Sequence, residues 1–146
     1  IQIAEKNNQK LKAGVNIKKR DVFQSLEETT LYDVIVSNPP YITEKERKKM
    51  EPNVLKWEPD LALFVPDDKP LLYYEQIAEV AKDLWVVGGV LYFEINSLYG
   101  QETVDLLVES GFVHVEIIKD LYGCDRFIRA ERWIKKIKPT LKHWIV

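Results

Sequence analysis

The sequence predicts an α/β sandwich, a mostly parallel sheet with helices packed on it and an antiparallel strand near one edge. Short apolar runs at 31–37 and 90–95 are bounded by loop signals, as in buried parallel strands. Between and after them lie segments of helical period, at 70–84 and 99–110. Two further β-rich runs, 112–118 and 126–134, flank the turn-like "DLYGCD" and predict a closing hairpin. Alternation of strand and helix around one core is the sandwich pattern.

Each element has its own warrant. Residues 1–12 read as a helix, and "VNIKKR", 15–20, as a short strand that ends at Asp21. Residues 42–69 form a long polar connection broken by Pro52, Pro59 and Pro66, with a short helix at 43–50; so long a link inside a domain is usually functional or mobile. Pro70 suits a helix start, and Tyr73, Ile77, Val80, Ala81 and Leu84 recur on one face. "VGG", 87–89, is expected to stop that helix. In 99–110, Val104, Leu107 and Val108 are expected to face inward, with Gly111 as the stop.

Composition bounds the class. The chain has 146 residues, 46% hydrophobic and 30% charged, which suits one globular domain. No apolar run approaches the roughly 20 residues of a membrane helix. One cysteine, Cys124, excludes an internal disulfide and fits a reducing cytoplasm. The net charge of −2 argues against a strongly basic nucleic-acid binder. Neither His114 nor His143 has partners at metal spacing, so no metal is expected. The chain opens at Ile1, its only methionine is Met50, and its first helix lacks a capping residue; the expectation is a piece of a longer chain.

The chemistry is concentrated in "DVIVSNPPYI", 33–42. In open α/β sheets, ligands bind beyond the carboxyl ends of the strands, where Asn38 falls. Pro39 and Pro40 fix their own φ angles and hold the preceding residues extended, so the loop is stiff. The Asn38 side-chain oxygen and the Pro39 carbonyl are two acceptors, and Tyr41 offers a flat face. Such a set suits a planar NH₂ group. Each acceptor takes one hydrogen, which orients a poorly nucleophilic nitrogen and favours the positive charge that develops as it attacks. The chemistry expected is methyl transfer to an sp² nitrogen.

Other polar stretches have plainer readings. The charges of "TEKERKKMEP", 43–52, suit a solvated helix face, with a basic lip for a partner as the alternative. Asp125 and Arg126 suit a turn or ion pair, Tyr73 and Tyr74 suit packing, and Glu94 ends a strand facing the expected pocket.

"DVIVSNPPYI", "WEPDLALFV", "LYYEQIAEVAKDLWVVGGVLYFEI" and "DLYGCDRFIRAERW" together resemble the protein-glutamine N5-methyltransferase family, called HemK or PrmC, over nearly all of residues 1–133. The resemblance implies a Rossmann-like class I methyltransferase sandwich that lacks its first strands, with a partial domain at 1–134 and a basic tail at 135–146. It implies S-adenosylmethionine as cofactor and the glutamine of the Gly-Gly-Gln motif of peptide-chain release factors as acceptor. Asn38, Pro39, Pro40 and Tyr41 would be the catalytic loop, with Asn38 and Pro39 holding the amide and Tyr41 packing on it. Asp21 would accept from the adenine amino group, with Val22 beside the ring and Asn38 completing that side. Glu58 and Pro59 would line the mouth of the substrate pocket. The family's G-x-G loop has no counterpart here, and Asn96 stands where many members have Gly. Strands 15–20 and 31–37 are then expected to pair directly or to expose edges that invite self-association. Two alternatives stay open: a nucleic-acid amino-methyltransferase acting on adenine N6 or guanine N2, and an inactive piece.

Overall fold

The computed structural model describes residues 1–24, 30–132 and 143–145. Helix α1 spans Gln2–Leu11 and buries none of its residues. Strand β1 (Tyr32–Ser37) leads to a two-residue strand β2 (Ile42–Thr43), a 3-10 helix Glu44–Lys49, helix α2 (Pro52–Trp57), a 3-10 turn Asp60–Ala62 and strand β3 (Phe64–Val65). Helix α3 (Leu72–Leu84), strand β4 (Trp85–Glu94), helix α4 (Gly100–Glu109) and strands β5 (Phe112–Lys119), β6 (Asp125–Arg132) and β7 (His143–Ile145) follow.

The main sheet runs β5-β6-β4-β1-β7. β1 pairs in parallel with β4 and β7, while β6 pairs antiparallel with β4 and β5. The parallel half and the closing hairpin are therefore both present. One core holds Ile35 of β1, Leu91 and Phe93 of β4, Ile128 and Ala130 of β6, five residues of α3, and Leu107 of α4. Full burial of a Leu or Ile side chain such as these is worth about 1.5–3 kcal/mol.

The structure corrects several expectations. Residues 15–20 form no strand, and β1 pairs instead with β7 over Val34–Val36. That edge of β1 is thus occupied rather than free, and the partner is a strand inside the expected tail. A run such as "VNIKKR" has strand-like residues, but strand preference depends on context, and residue type alone does not make a strand. Residues 133–142 and 146, including the rest of that tail and the end of the expected strand 126–134, lie outside the described residues.

"VGG" does not stop α3. The chain turns from helix to strand at Trp85, and the glycine pair lies inside β4. Register slips there, with Tyr32 opposite Trp85 but Val34 opposite Val90. Gly89 is needed because the Trp85 indole occupies its side-chain space: a Cβ there would lie 1.8 Å from Trp85 Nε1. The end of α3 is capped from far away, since Arg132 Nη1 donates to the carbonyls of Lys82 (2.5 Å) and Trp85 (3.0 Å).

On α4, Leu107 is buried and Val104 half-buried, but Val108 is 56% exposed, contrary to expectation. Thr103 takes a buried place instead, its hydroxyl donating to the Tyr99 carbonyl at 2.7 Å. The long 42–69 connection is largely ordered into short elements, β2 and β3 forming a small parallel sheet of their own.

Candidate active site

β1 alternates as a half-buried strand should, with Asp33, Ile35 and Ser37 inside. Beyond Ser37 the alternation continues into the loop. Asn38 is exposed, Pro39 buried, and Pro40 and Tyr41 half-buried. A buried proline needs no donor partner for its nitrogen, so this loop reaches into the core without stranding an N–H. The Ser37 hydroxyl, buried beside it, has no partner among the described residues.

Tyr41 is held at both ends. Its hydroxyl donates to Glu94 Oε1 at 2.7 Å, and its carbonyl accepts from Asn96 Nδ2 at 3.1 Å. Burial, then the bond to Glu94 and its charge, push the Tyr41 phenol up to about 12, with Arg126 opposing. Glu94 ends β4 and Asn96 lies two residues beyond it, next to the end of β1 in the parallel pair. Tyr74 of α3 completes this corner, donating to the Glu94 carbonyl (3.2 Å) and accepting from Asn96 N (3.3 Å). Tyr74 therefore packs and bonds as a structural residue, edge-on to Phe93 with centroids 5.2 Å apart.

Glu46 closes the network from the 3-10 helix. It accepts from Thr43 N at 2.9 Å, from the Thr43 hydroxyl at 2.5 Å, and from Asn96 Nδ2 at 3.0 and 3.2 Å. Burial pushes its carboxyl up, but the Thr43 and Asn96 donors prevail and hold it below the usual carboxylate range. Neither Asn96 nor Glu46 stood out in the sequence as part of the site. The Thr-x-x-Glu spacing of a capping box at 43–46 was a readable signal for Glu46; Asn96 was marked only by standing where many members of the resembled family have Gly.

The other expected residues stand apart from this corner in their bonding. Asp21 is exposed, and its Oδ1 accepts from Phe23 N at 3.0 Å, the bond of an Asx turn. Val22 is half-buried against the core, its carbonyl accepting from Gln76 Nε2 of α3 at 2.9 Å. Phe23 meets Tyr73 edge-on at 5.2 Å. So the Asp21 loop is docked on α3, while Tyr41 packs against the same core. Glu58 and Pro59 are exposed and cap local turns, Glu58 N donating to Val54 O and Pro59 O accepting from Ala62 N.

The charged segments take structural roles. Arg47 pairs with Glu44 (2.9 Å) and Asp60 (3.0 Å) and lies 3.8 Å over the Phe64 ring, so it is a strut and not a free basic lip. Lys48 and Lys49 are exposed, as a solvated face requires. Asp120 accepts from Tyr122 N, Cys124 N and Arg126 Nε and shapes the hairpin turn. Among the described residues no cluster could hold a metal ion, and no helix is long and apolar enough to cross a membrane.

Sequence comparisons decide the family. A release factor glutamine methyltransferase of Bacteroides thetaiotaomicron is 50% identical over 133 residues, 90% of this chain and 48% of that protein. This chain belongs to a methylase family, by a model that covers more than half of it, and is similar over nine tenths of its length to a release factor glutamine methyltransferase. Its counterpart from Flavobacterium psychrophilum is 41% identical over 130 residues, 89% of this chain and 46% of the relative. The chain thus spans about half the length of the relatives it matches. The family model described as "Eco57I restriction-modification methylase" also matches, over residues 2–87. A solved protein-(glutamine-N5) methyltransferase from Alicyclobacillus acidocaldarius superposes with a TM-score of 0.40 at 16% identity, over 73% of this chain and 83% of that one. The assignment rests on the family model and the sequence relatives.

Proposed function

We propose that this chain carries the amide-acceptor site of an enzyme that methylates the side-chain nitrogen of glutamine in the Gly-Gly-Gln motif of peptide-chain release factors. The observation that carries the reading is the loop after β1: an exposed Asn38, a buried Pro39 and a Tyr41 ring fixed at its hydroxyl, all beyond the carboxyl end of a central strand.

The roles follow from the groups. Asn38 Oδ1 and the Pro39 carbonyl accept the two hydrogens of the glutamine amide and fix its plane. Pro40 keeps the loop from relaxing. Tyr41 lays its face along the amide, and Glu94 stops the ring from turning away. As the nitrogen attacks, positive charge grows on its hydrogens, and both acceptors bind it more strongly than the neutral amide. The proton then leaves the methylated nitrogen to solvent, so a strong base is not required of this loop. Glu58 and Pro59, exposed on the 51–63 connection, would contact the protein acceptor at the mouth.

S-adenosylmethionine, when bound, supplies an electrophilic methyl carbon on a sulfonium, whose C–S electron pair leaves with sulfur. The donor set at its expected adenine end fits. Asp21 is exposed and engages Oδ1 with Phe23, and a carboxylate retains capacity to accept from an exocyclic NH₂. Val22 and Asn38 would flank it, and the buried Ser37 hydroxyl is a further polar atom without a partner among the described residues. A cytoplasmic setting, where release factors act, belongs to the same proposal.

A second reading, amino-methylation of a nucleic acid, is favoured by the restriction-modification methylase match over 2–87. The same acceptors would hold the exocyclic amine of a flipped base. Labelled methyl transfer from S-adenosylmethionine separates the two. Label is expected on a release factor and lost when its Gly-Gly-Gln glutamine is replaced; label confined to DNA or RNA would overturn the first reading.

A further inference from the structure

Asn96 is 8% exposed, and every hydrogen-bonding group of its side chain is engaged. Its Oδ1 accepts from Leu98 N at 3.0 Å, which fixes which end of the amide faces the loop. Its Nδ2 has two hydrogens and reaches the Tyr41 carbonyl at 3.1 Å and the Glu46 carboxylate at 3.0 and 3.2 Å. Glu46 in turn holds both the backbone N–H and the hydroxyl of Thr43. Two residues of the chain after Pro40 are therefore tied, through one amide, to the end of β4. The proline pair stiffens the loop internally, but it does not say where the loop points. Something outside must, and among the described residues the Tyr41 carbonyl is bound by Asn96.

We propose that Asn96, braced by Glu46, is a positioning residue that sets the backbone of the Asn38–Tyr41 loop, and with it the placement of the two amide acceptors. The inference rests on the reading of that loop as the acceptor site. Orientation of bound groups is worth much in such chemistry, and a displacement of about 1 Å can cost about a hundredfold in rate.

The test uses Asn96→Ala, Asn96→Asp and Glu46→Gln in the full protein. Methyl transfer to the release factor is measured as kcat and as KM for each substrate, and backbone hydrogen exchange is measured over residues 41–46. Asn96→Asp is decisive because it keeps the size of the side chain and replaces the donor by an oxygen that faces the Tyr41 carbonyl and the Glu46 carboxylate. A positioning role predicts that Asn96→Asp lowers kcat more than Asn96→Ala does, by about a hundredfold against about tenfold. KM for S-adenosylmethionine stays within about twofold, and exchange over 41–46 rises. A purely space-filling role predicts the reverse order. Glu46→Gln, at a less buried position that tolerates exchange, is expected to lower kcat in the same direction and less. Wild-type kcat in Asn96→Asp, or unchanged exchange over 41–46 in all three variants, would overturn the proposal. If the wild-type protein methylates no release factor, the acceptor reading fails, while the exchange data still decide whether Asn96 holds the loop.

Discussion

At the end of β4, Glu94 and Asn96 bind Tyr41 at its hydroxyl and at its carbonyl, and Tyr74 bonds the backbone between them. In the segment before β1, α1 buries nothing, residues 15–20 join no sheet, and the Asp21 loop meets α3 through the Gln76 bond to Val22 and the Phe23–Tyr73 ring pair. The first region is a closed network on rigid elements. The second is a peripheral loop held at its edge. Buried polar networks with all partners met specify one geometry, whereas exposed loops as a class open more readily than core elements. The acceptor half of the proposed site is thus built for precision and the cofactor half for adjustment.

The comparison breaks most visibly at Asn38. Because its side chain is exposed, Asn38→Ala is expected to leave the melting midpoint within about a degree. If it is an amide acceptor, kcat falls by about a hundredfold or more, the usual cost of one lost transition-state hydrogen bond. Rate assays with thermal melts of the same samples check both halves, and a parallel loss of stability and rate would mean that the loop is scaffold only.

A smaller effect is expected from Tyr41→Phe, which keeps the flat face and removes only the tie to Glu94. A loss in kcat of about tenfold, with acceptor KM little changed, is the expectation for a ring that still packs but turns more freely. Burial of the ring, together with the same bond, gives a pH signature. The Tyr41 phenol is raised from its ordinary value to about 12, so its protonated form is the one that folding favours. The stability it adds is complete below pH 10 and disappears as pH rises from 10 through about 12. Burial raises Tyr74 in the same direction. Ultraviolet titration should therefore show tyrosines that ionise late, and Tyr41→Phe should remove one of them.

Much of this was legible in the sequence. The period of 70–84, the apolar run 31–37 and the hairpin after Gly111 each state their structure locally, and the Asn-Pro-Pro-Tyr loop is where residue types alone placed the chemistry proposed here. What was not legible depends on partners far along the chain. "VGG" looked like a helix stop, yet Arg132, 50 residues from Lys82, caps α3, and the Trp85 indole explains Gly89. "VNIKKR" looked like a strand, yet residues 15–20 form none, while His143–Ile145 takes the edge of β1. Asn96 reads as an ordinary turn residue until Tyr41, 55 positions earlier, is beside it. Local pattern predicts elements; it does not predict which distant carbonyl needs a donor.

The gentlest test addresses the loosely held side. Gln76→Ala removes the hydrogen bond that fixes the Val22 carbonyl to α3, while leaving Asp21 itself intact. Gln76 is only half-buried, so water can replace the lost donor, and a net cost of about 1 kcal/mol in stability is the upper expectation. If Asp21 and Val22 receive adenine, the freed loop must be ordered again on binding, and calorimetry should give an S-adenosylmethionine affinity weaker by a factor of about three to ten. At saturating cofactor kcat should be unchanged, because the acceptor loop and its β4 clamp do not depend on this bond. A variant that lost kcat and kept its affinity would reverse the comparison, and would mean that the Asp21 loop, not the end of β4, sets the geometry of transfer.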